Sequence, residues 1–398
     1  MILHTTQVVI DSKSTHKNLP LNLHTTTKDL SLDNSVAYCP LINAHDHLIG
    51  NWYPKAGKDK PYPNSHIWVE DMKQSASFLE RNKFWFNDGS FNLLVPEAHA
   101  LGRLGAYKNL FSGCSAVHDH GPNQLPKYYQ AMPINVIEAY RQCHSITLGN
   151  WWGGESPERE MELAGGKMPF IIHLGEGTDE VTKQEFAELE RRGLLKENTL
   201  LIHGIAFTKE EIVRIAKAGA SVCWCQNSNA YLIGETFDID SALQVGANVV
   251  IGTDSTMSGG INLIAELREI HEKYPHIPLN TLFRMVTENS AKALYLSEDY
   301  GKLNPDRCRN LLVLDRKKED PFENILELNA ASIKLLVVED IPRFGDRDLL
   351  DYFPKSEREY TFFDIAGREK FVIGDPLAIS NEIDSVLGYH KDFPFLPF

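Results

Sequence analysis

The stretch Leu41-Ile42-Asn43-Ala44-His45-Asp46-His47 runs from apolar residues into two histidines separated by one position. Side chains alternate along a strand, so His45 and His47 share a face, and two imidazoles at that spacing can converge on one ion. Two surface histidines in a turn would give the same triplet. The choice between the readings depends on the rest of the chain.

Downstream of this stretch, short apolar runs rich in β-branched residues alternate with helix-like segments. The runs are Ser115–Val117, Ile134–Ile137, Ser145–Leu148, Phe170–Ile172, Thr199–Ile202, Ala220–Trp224 and Asn248–Ile251. With the run at Leu41 they make eight β units, which predicts an α/β fold of (β/α)8 TIM-like barrel type over residues 39–300; an open doubly wound sheet is the alternative. The third-to-fourth connection is too short for a full helix, so irregularity is expected there. Helices are predicted at Pro96–Leu110, Thr182–Arg192, Lys209–Ala218, Leu263–Tyr274 and Asn280–Leu294, and Thr208-x-x-Glu211 has the spacing of a capping box. Residues 1–38, with one plausible strand at Thr5–Ile10, cannot fold alone. They are expected to join short strands in 301–398 as a small accessory β-sandwich.

Parallel barrels carry their chemistry where strands end at the C-terminal face. Here the first run ends in His45 and His47, the fifth in His173, the sixth in His203 and the eighth in Gly252-Thr253-Asp254. Three imidazoles and a carboxylate suit one divalent transition ion, Zn²⁺ first, with Fe²⁺ or Mn²⁺ as alternatives. Such an ion lowers the pKa of bound water to about 7. Glu176, three residues after His173, can carry protons. Asp254 can ligate and accept a proton, and His203 can polarise a substrate or steady developing charge.

The set His45-Asp46-His47, His173-x-x-Glu176, His203-Gly204 and Gly252-Thr253-Asp254-Ser255, in this order, resembles the amidohydrolase superfamily. It is most similar to the branch of cytosine and guanine deaminases and triazine hydrolases. Cys225-Gln226-Asn227-Ser228-Asn229 resembles that branch's Cys-Pro-x-Ser-Asn, with Gln226 in place of proline. The passage from Gly301-Lys302-Leu303 to Leu311–Asp315 is similar to the family's return into a sandwich. The resemblance spans residues 39–345. It implies a single metal on His45, His47, His173 and Asp254, proton transfer by Glu176 and substrate contact by His203. No lysine follows the fourth strand, so binuclear branches fit poorly.

A second pair, His118-Asp119-His120, ends the second run and raises three options: a second metal, a substrate hydrogen bond from His120, or a structural role. Asn229 and Trp52 are further candidates for substrate binding. Trp68, Trp151, Trp152 and Trp224 offer rings for stacking, with core packing as the ordinary alternative for each.

The remaining composition excludes other classes. A net charge of −14 without a basic run argues against nucleic acid and anionic membranes. No apolar run approaches the roughly 18 residues of a membrane span. Six cysteines without CxxC pairs read as reduced thiols. The opening Met1-Ile2-Leu3-His4-Thr5 lacks an export signal, so cytoplasm is the expected compartment. A homo-oligomer, taken as a dimer, is the expected assembly. The function this predicts is metal-dependent hydrolysis of a small nitrogenous, cyclic substrate, with metal-bound hydroxide attacking an sp² carbon. Deamination of an aminated heterocycle leads. An amidase or ring-opening hydrolase is the alternative, and a non-catalytic metal-binding protein on the same fold is a third reading.

Overall fold

The computed structural model describes residues 2–25, 28–58, 60–84, 92–147, 149 and 153–398. Leu148 of the expected third-to-fourth region, and Trp151 and Trp152, lie outside the described residues.

Eight parallel strands carry the middle of the chain. Leu41–Asp46, Cys114–Asp119 and Asn135–Val136 form one sheet; Arg141–Ser145, Phe170–Leu174, Thr199–His203, Ser221–Trp224 and Asn248–Ile251 form a second, in sequence order. At one seam the backbone N–H groups of Thr253 and Asp254 both donate to the carbonyl of His45, at 2.9 and 3.1 Å. The fold is TIM-barrel-like. Strands of this kind are covered on both faces, which is why Phe170–Leu174 and Thr199–His203 are buried at every position and carry the apolar runs Phe170–Ile172 and Leu200–Ile202 just before their histidines. The connecting helices begin where side chains cap them. Asp179 caps Glu180–Arg191, and Thr208 with Glu211 forms the expected capping box of Lys209–Ala218.

Three expectations need correction. The fourth strand is Arg141–Ser145, not Ser145–Leu148. It is polar because it presents Gln142 and His144 to buried and pocket-lining positions, so a search for apolar runs passes over it. The helix expected across Asn280–Leu294 is two, Leu279–Met285 and Glu288–Ala293. Between them Thr287 leaves helical geometry and its hydroxyl donates to the Phe283 carbonyl at 2.6 Å, the local competition that Thr brings to helices. Third, the described part of the first 38 residues holds four strands rather than one, among them Leu30–Tyr38.

These N-terminal strands join Leu311–Asp315, Ile333–Val338, Ile341–Asp346, Tyr360–Ile365 and Arg368–Ile373 in one nine-stranded mixed sheet. Leu30–Tyr38 sits inside it, parallel to Ile2–Asp11 and antiparallel to Leu311–Asp315. Only Cys39 and Pro40 separate it from the strand that ends in His45 and Asp46. The helix Pro96–Leu110 lies against the turn after His47, and Gly105 makes the approach possible: a Cβ there would stand 2.5 Å from the Leu48 carbonyl oxygen. No described helix is long and apolar enough to cross a membrane.

Candidate active site

Adjacent parallel strands deliver His173 and His203 to the same rim, since His173 pairs in register with Ile202 and His203 with Leu174. His203 has a φ of +77° and Asp254 one of +52°. A non-glycine residue in that region costs roughly 1–2 kcal/mol, and here the turn swings both side chains back over the strand ends. The imidazoles of His45 and His173 lie 5.1 Å apart, those of His173 and His203 5.4 Å, and those of His45 and His47 4.9 Å, centre to centre.

Two groups of three ligand atoms each lie within 4.8 Å of one another: His45, His47 and Asp254, and His45, His173 and His203. Asp254 Oδ1 stands 3.5 Å from His47 Nε2 and 3.8 Å from His45 Nε2. Two ligands each about 2.1 Å from a common tetrahedral ion would be about 3.4 Å apart, so the spacing fits. His45 adds a second sign. It is fully buried, and neither ring nitrogen has a hydrogen-bond partner among the described residues. Burial, reinforced by the neighbouring imidazoles, holds His45 and His173 well below the usual histidine pKa, leaving neutral rings with a lone pair to offer. The donor set therefore fits a divalent transition ion.

Surrounding groups orient the candidate ligands. His173 Nδ1 donates to the His144 carbonyl at 2.9 Å, which turns Nε2 toward the cluster. Asp254 Oδ2 accepts from the hydroxyls of Ser228 at 2.7 Å and Ser258 at 2.6 Å, leaving Oδ1 to face the histidines. Desolvation pushes the Asp254 pKa up, but His47, His203 and those two hydroxyls outweigh it, so the carboxylate stays charged.

Glu176 is buried at the same rim, with Oε1 3.4 Å from His203 Nε2. Its pKa is raised by burial, with His203 opposing. Ser65 N donates to the Glu176 carbonyl at 3.0 Å, so the loop before the helix Ser65–Met72 closes on it. This contact needs Gly177, where a Cβ would lie 2.5 Å from the Pro63 carbonyl oxygen. His203 Nδ1 lies 2.8 Å from Asn229 Oδ1. Asn229 is buried and not on the pocket wall, so the substrate contact expected of it is corrected to a hold on His203. Asn229→Ala is expected to lower kcat about tenfold or more while zinc content is unchanged, read by steady-state kinetics beside metal analysis.

The pocket over this cluster has one polar side, formed by His47, His120, His144, His173, Glu176, His203 and Asp254. Ile49, Trp68, Val69, Met72, Phe78 and Leu93 give it an apolar side. His120 lines it, stacked on His173 at 4.4 Å. His118 lies deeper, edge-on to Tyr140. Neither belongs to a three-ligand group among the described residues, so a second metal on this pair has no support. Trp52 is a correction: it is fully buried between Phe84 and Phe393, and its indole N–H donates to Glu80 at 2.7 Å, away from the pocket. Trp224 is core as well, whereas Trp68 does line the pocket.

Residues 161–339 match the model of the amidohydrolase family. A 5-methylthioadenosine/S-adenosylhomocysteine deaminase from Moorella thermoacetica is 30% identical over 327 residues, covering 71% of this chain and 74% of that protein. The chain belongs to the amidohydrolase family. Another relative with the same printed name, from Pyrococcus abyssi, is 33% identical over 194 residues, a match that spans 45% of this amidohydrolase and 44% of the relative's length. In fold, this amidohydrolase is similar to zinc-complexed atrazine chlorohydrolase from Arthrobacter aurescens, with a TM-score of 0.72 at 17% identity over 97% of this chain and 99% of that one.

Sequence reasoning missed Lys108, His144 and Ser258, and named Ser228 only as part of a motif, without its bond to Asp254. Lys108 left a signal: it falls on the same helical stripe as Leu101 and Leu104, where a charge requires a buried partner.

Proposed function

We propose that this amidohydrolase catalyses hydrolytic deamination of an aminated heterocycle, with water replacing an exocyclic amino group and ammonia leaving. The observation that carries the reading is Glu176 set beside His203 at the rim of the ligand cluster, Oε1 to Nε2 3.4 Å. His45, His47, His173 and Asp254 would hold the ion, zinc first. Bound there, it supplies Lewis acidity and brings the pKa of water toward neutrality.

The chain's own groups do the rest. Glu176 takes a proton from the attacking water and returns it to the departing nitrogen, and the burial that raises its pKa favours the proton-carrying form. His203, turned by Asn229, presents Nε2 toward the same point and steadies the charge that develops as the ring carbon becomes tetrahedral. His120, stacked on His173, offers the ring a hydrogen bond. We read the eight strands as closing into a (β/α)8 barrel over 39–300, with 1–38 and 301–398 as an accessory β-sandwich.

The Moorella and Pyrococcus relatives are named for 5-methylthioadenosine and S-adenosylhomocysteine, so these two nucleosides head the substrate panel. The apolar wall around Trp68, Met72 and Phe78 favours a ring with an apolar substituent. The test is ammonia release from these nucleosides and from aminopurines, aminopyrimidines, pterins and aminotriazines, using protein reconstituted separately with Zn²⁺, Fe²⁺ and Mn²⁺. Release is expected with at least one ring class and should vanish on chelation. Silence across the panel with metal demonstrably bound would transfer the assignment to amide or ring-opening hydrolysis.

A further inference from the structure

The residue between the two site histidines is an aspartate with no exposed side-chain surface, and its partner is an equally buried lysine. Lys108 Nζ lies 2.9 Å from Asp46 Oδ2, both side chains at 0% exposure. Lys108 comes from the helix Pro96–Leu110, which supplies no group to the pocket wall. The ammonium spends its other donors on Asn51 Oδ1 at 2.7 Å and Thr253 Oγ1 at 3.4 Å. Asp46 Oδ1 accepts from Asn51 Nδ2 at 3.0 Å, and Oδ2 from Asn109 Nδ2 at 2.8 Å. Asn43 Nδ2 donates to Thr253 Oγ1 and to Asn109 Oδ1, each at 2.8 Å.

A buried ion pair is a poor adhesive. Removing two charges from water is expensive, and apolar residues of equal volume hold a helix to a sheet as well or better. Position explains this one. Asp46 stands between His45 and His47, Asn43 precedes His45 by two, and Thr253 directly precedes Asp254. Asn43 and Asp46 lie on the first strand of the parallel series and Thr253 just past the last, each within two residues of a member of the ligand cluster.

Resting on the metal-site reading above, we propose that Lys108 and Asp46 are positioning residues that fix the two metal-bearing strand ends relative to each other and thereby set metal affinity. Lys108 holds Asp46 from behind, which fixes the directions of His45 and His47. Through Asn51 and Thr253 the same ammonium fixes the turn that carries Asp254.

The test measures zinc affinity by competition with a chromogenic chelator, alongside the melting temperature of the metal-free protein. Lys108→Met leaves a buried carboxylate uncompensated and is expected to lower the melting temperature and to weaken zinc about 10- to 100-fold. The double variant Asp46→Asn with Lys108→Met removes both charges; it should melt near the wild-type temperature while zinc stays about tenfold or more weaker. A double variant that melts and binds zinc as wild type does would overturn the proposal, because the pair would then be packing alone. Should both variants fail to fold, Thr253→Val decides: it keeps the volume, deletes the oxygen shared by Lys108 and Asn43, and is expected to weaken zinc several-fold. Wild-type affinity in Thr253→Val would overturn the proposal in that case. Wild-type protein that takes up no zinc at all would count against the metal-site reading, a different result from zinc binding that no variant disturbs.

Discussion

Glu176→Gln is expected to fold, bind zinc as the wild type does, and turn over about 10²- to 10⁴-fold more slowly, the usual worth of a positioned acid/base. The substitution preserves size and keeps an amide oxygen for the Ser65 side chain, which hydrogen-bonds the carboxyl, while the Ser65 N–H still reaches the backbone carbonyl of residue 176. What it removes is an exchangeable proton 3.4 Å from His203 Nε2. Because Glu176 lies outside both three-ligand groups, metal content and turnover should separate in this variant. The comparison is kcat at saturating zinc beside zinc stoichiometry. Near-wild-type kcat would remove Glu176 from the chemistry.

Asp254→Asn should have the opposite profile, with the loss falling on the metal. Oδ1 is the only carboxylate oxygen within either three-ligand group, 3.5 Å from His47 and 3.8 Å from His45. An amide of the same shape carries no charge to balance a cation in a buried site. Removing one partner of a buried charge pair costs about 3–5 kcal/mol, so zinc should bind roughly 10²- to 4 × 10³-fold more weakly. Ligand binding to the native state raises thermal stability by mass action. Zinc should therefore raise the wild-type melting temperature and leave the variant's almost unmoved at the same concentration. An equal shift in both would remove Asp254 from the ligand set.

Much of this site could be read from residue order. His45, His47, His173, His203 and Asp254 each end an apolar run, and the fold brings all five together because parallel strands finish on one rim. The helix Lys209–Ala218 was legible to the residue because its cap is local: Thr208 and Glu211 bond each other's backbone. What escaped was set by distant partners. Arg141–Ser145 looks like a loop by hydrophobicity and is a strand because Phe170–Leu174 pairs with it. Leu30–Tyr38 alternates buried and exposed residues only at its start, and the strands on either side of it, Ile2–Asp11 and Leu311–Asp315, lie at opposite ends of the chain. Trp52 was misread for a related reason. An aromatic residue near a site motif can stack on a ligand or fill the core, and only the placement of Phe84, Phe393 and Glu80 decides which.

The seam at which Thr253 and Asp254 donate to the His45 carbonyl bears on how the protein comes into being. It joins the first strand of the parallel series to the last, so it is a contact of very large sequence separation, and closing so long a loop carries an entropic cost that nearby contacts do not. A ribosome that has released the chain only as far as the helix Lys209–Ala218 has exposed four of the five clustered residues and not the carboxylate. The centre is thus completed late in biogenesis, and a nascent chain carries a partial, all-imidazole set until its eighth parallel strand emerges.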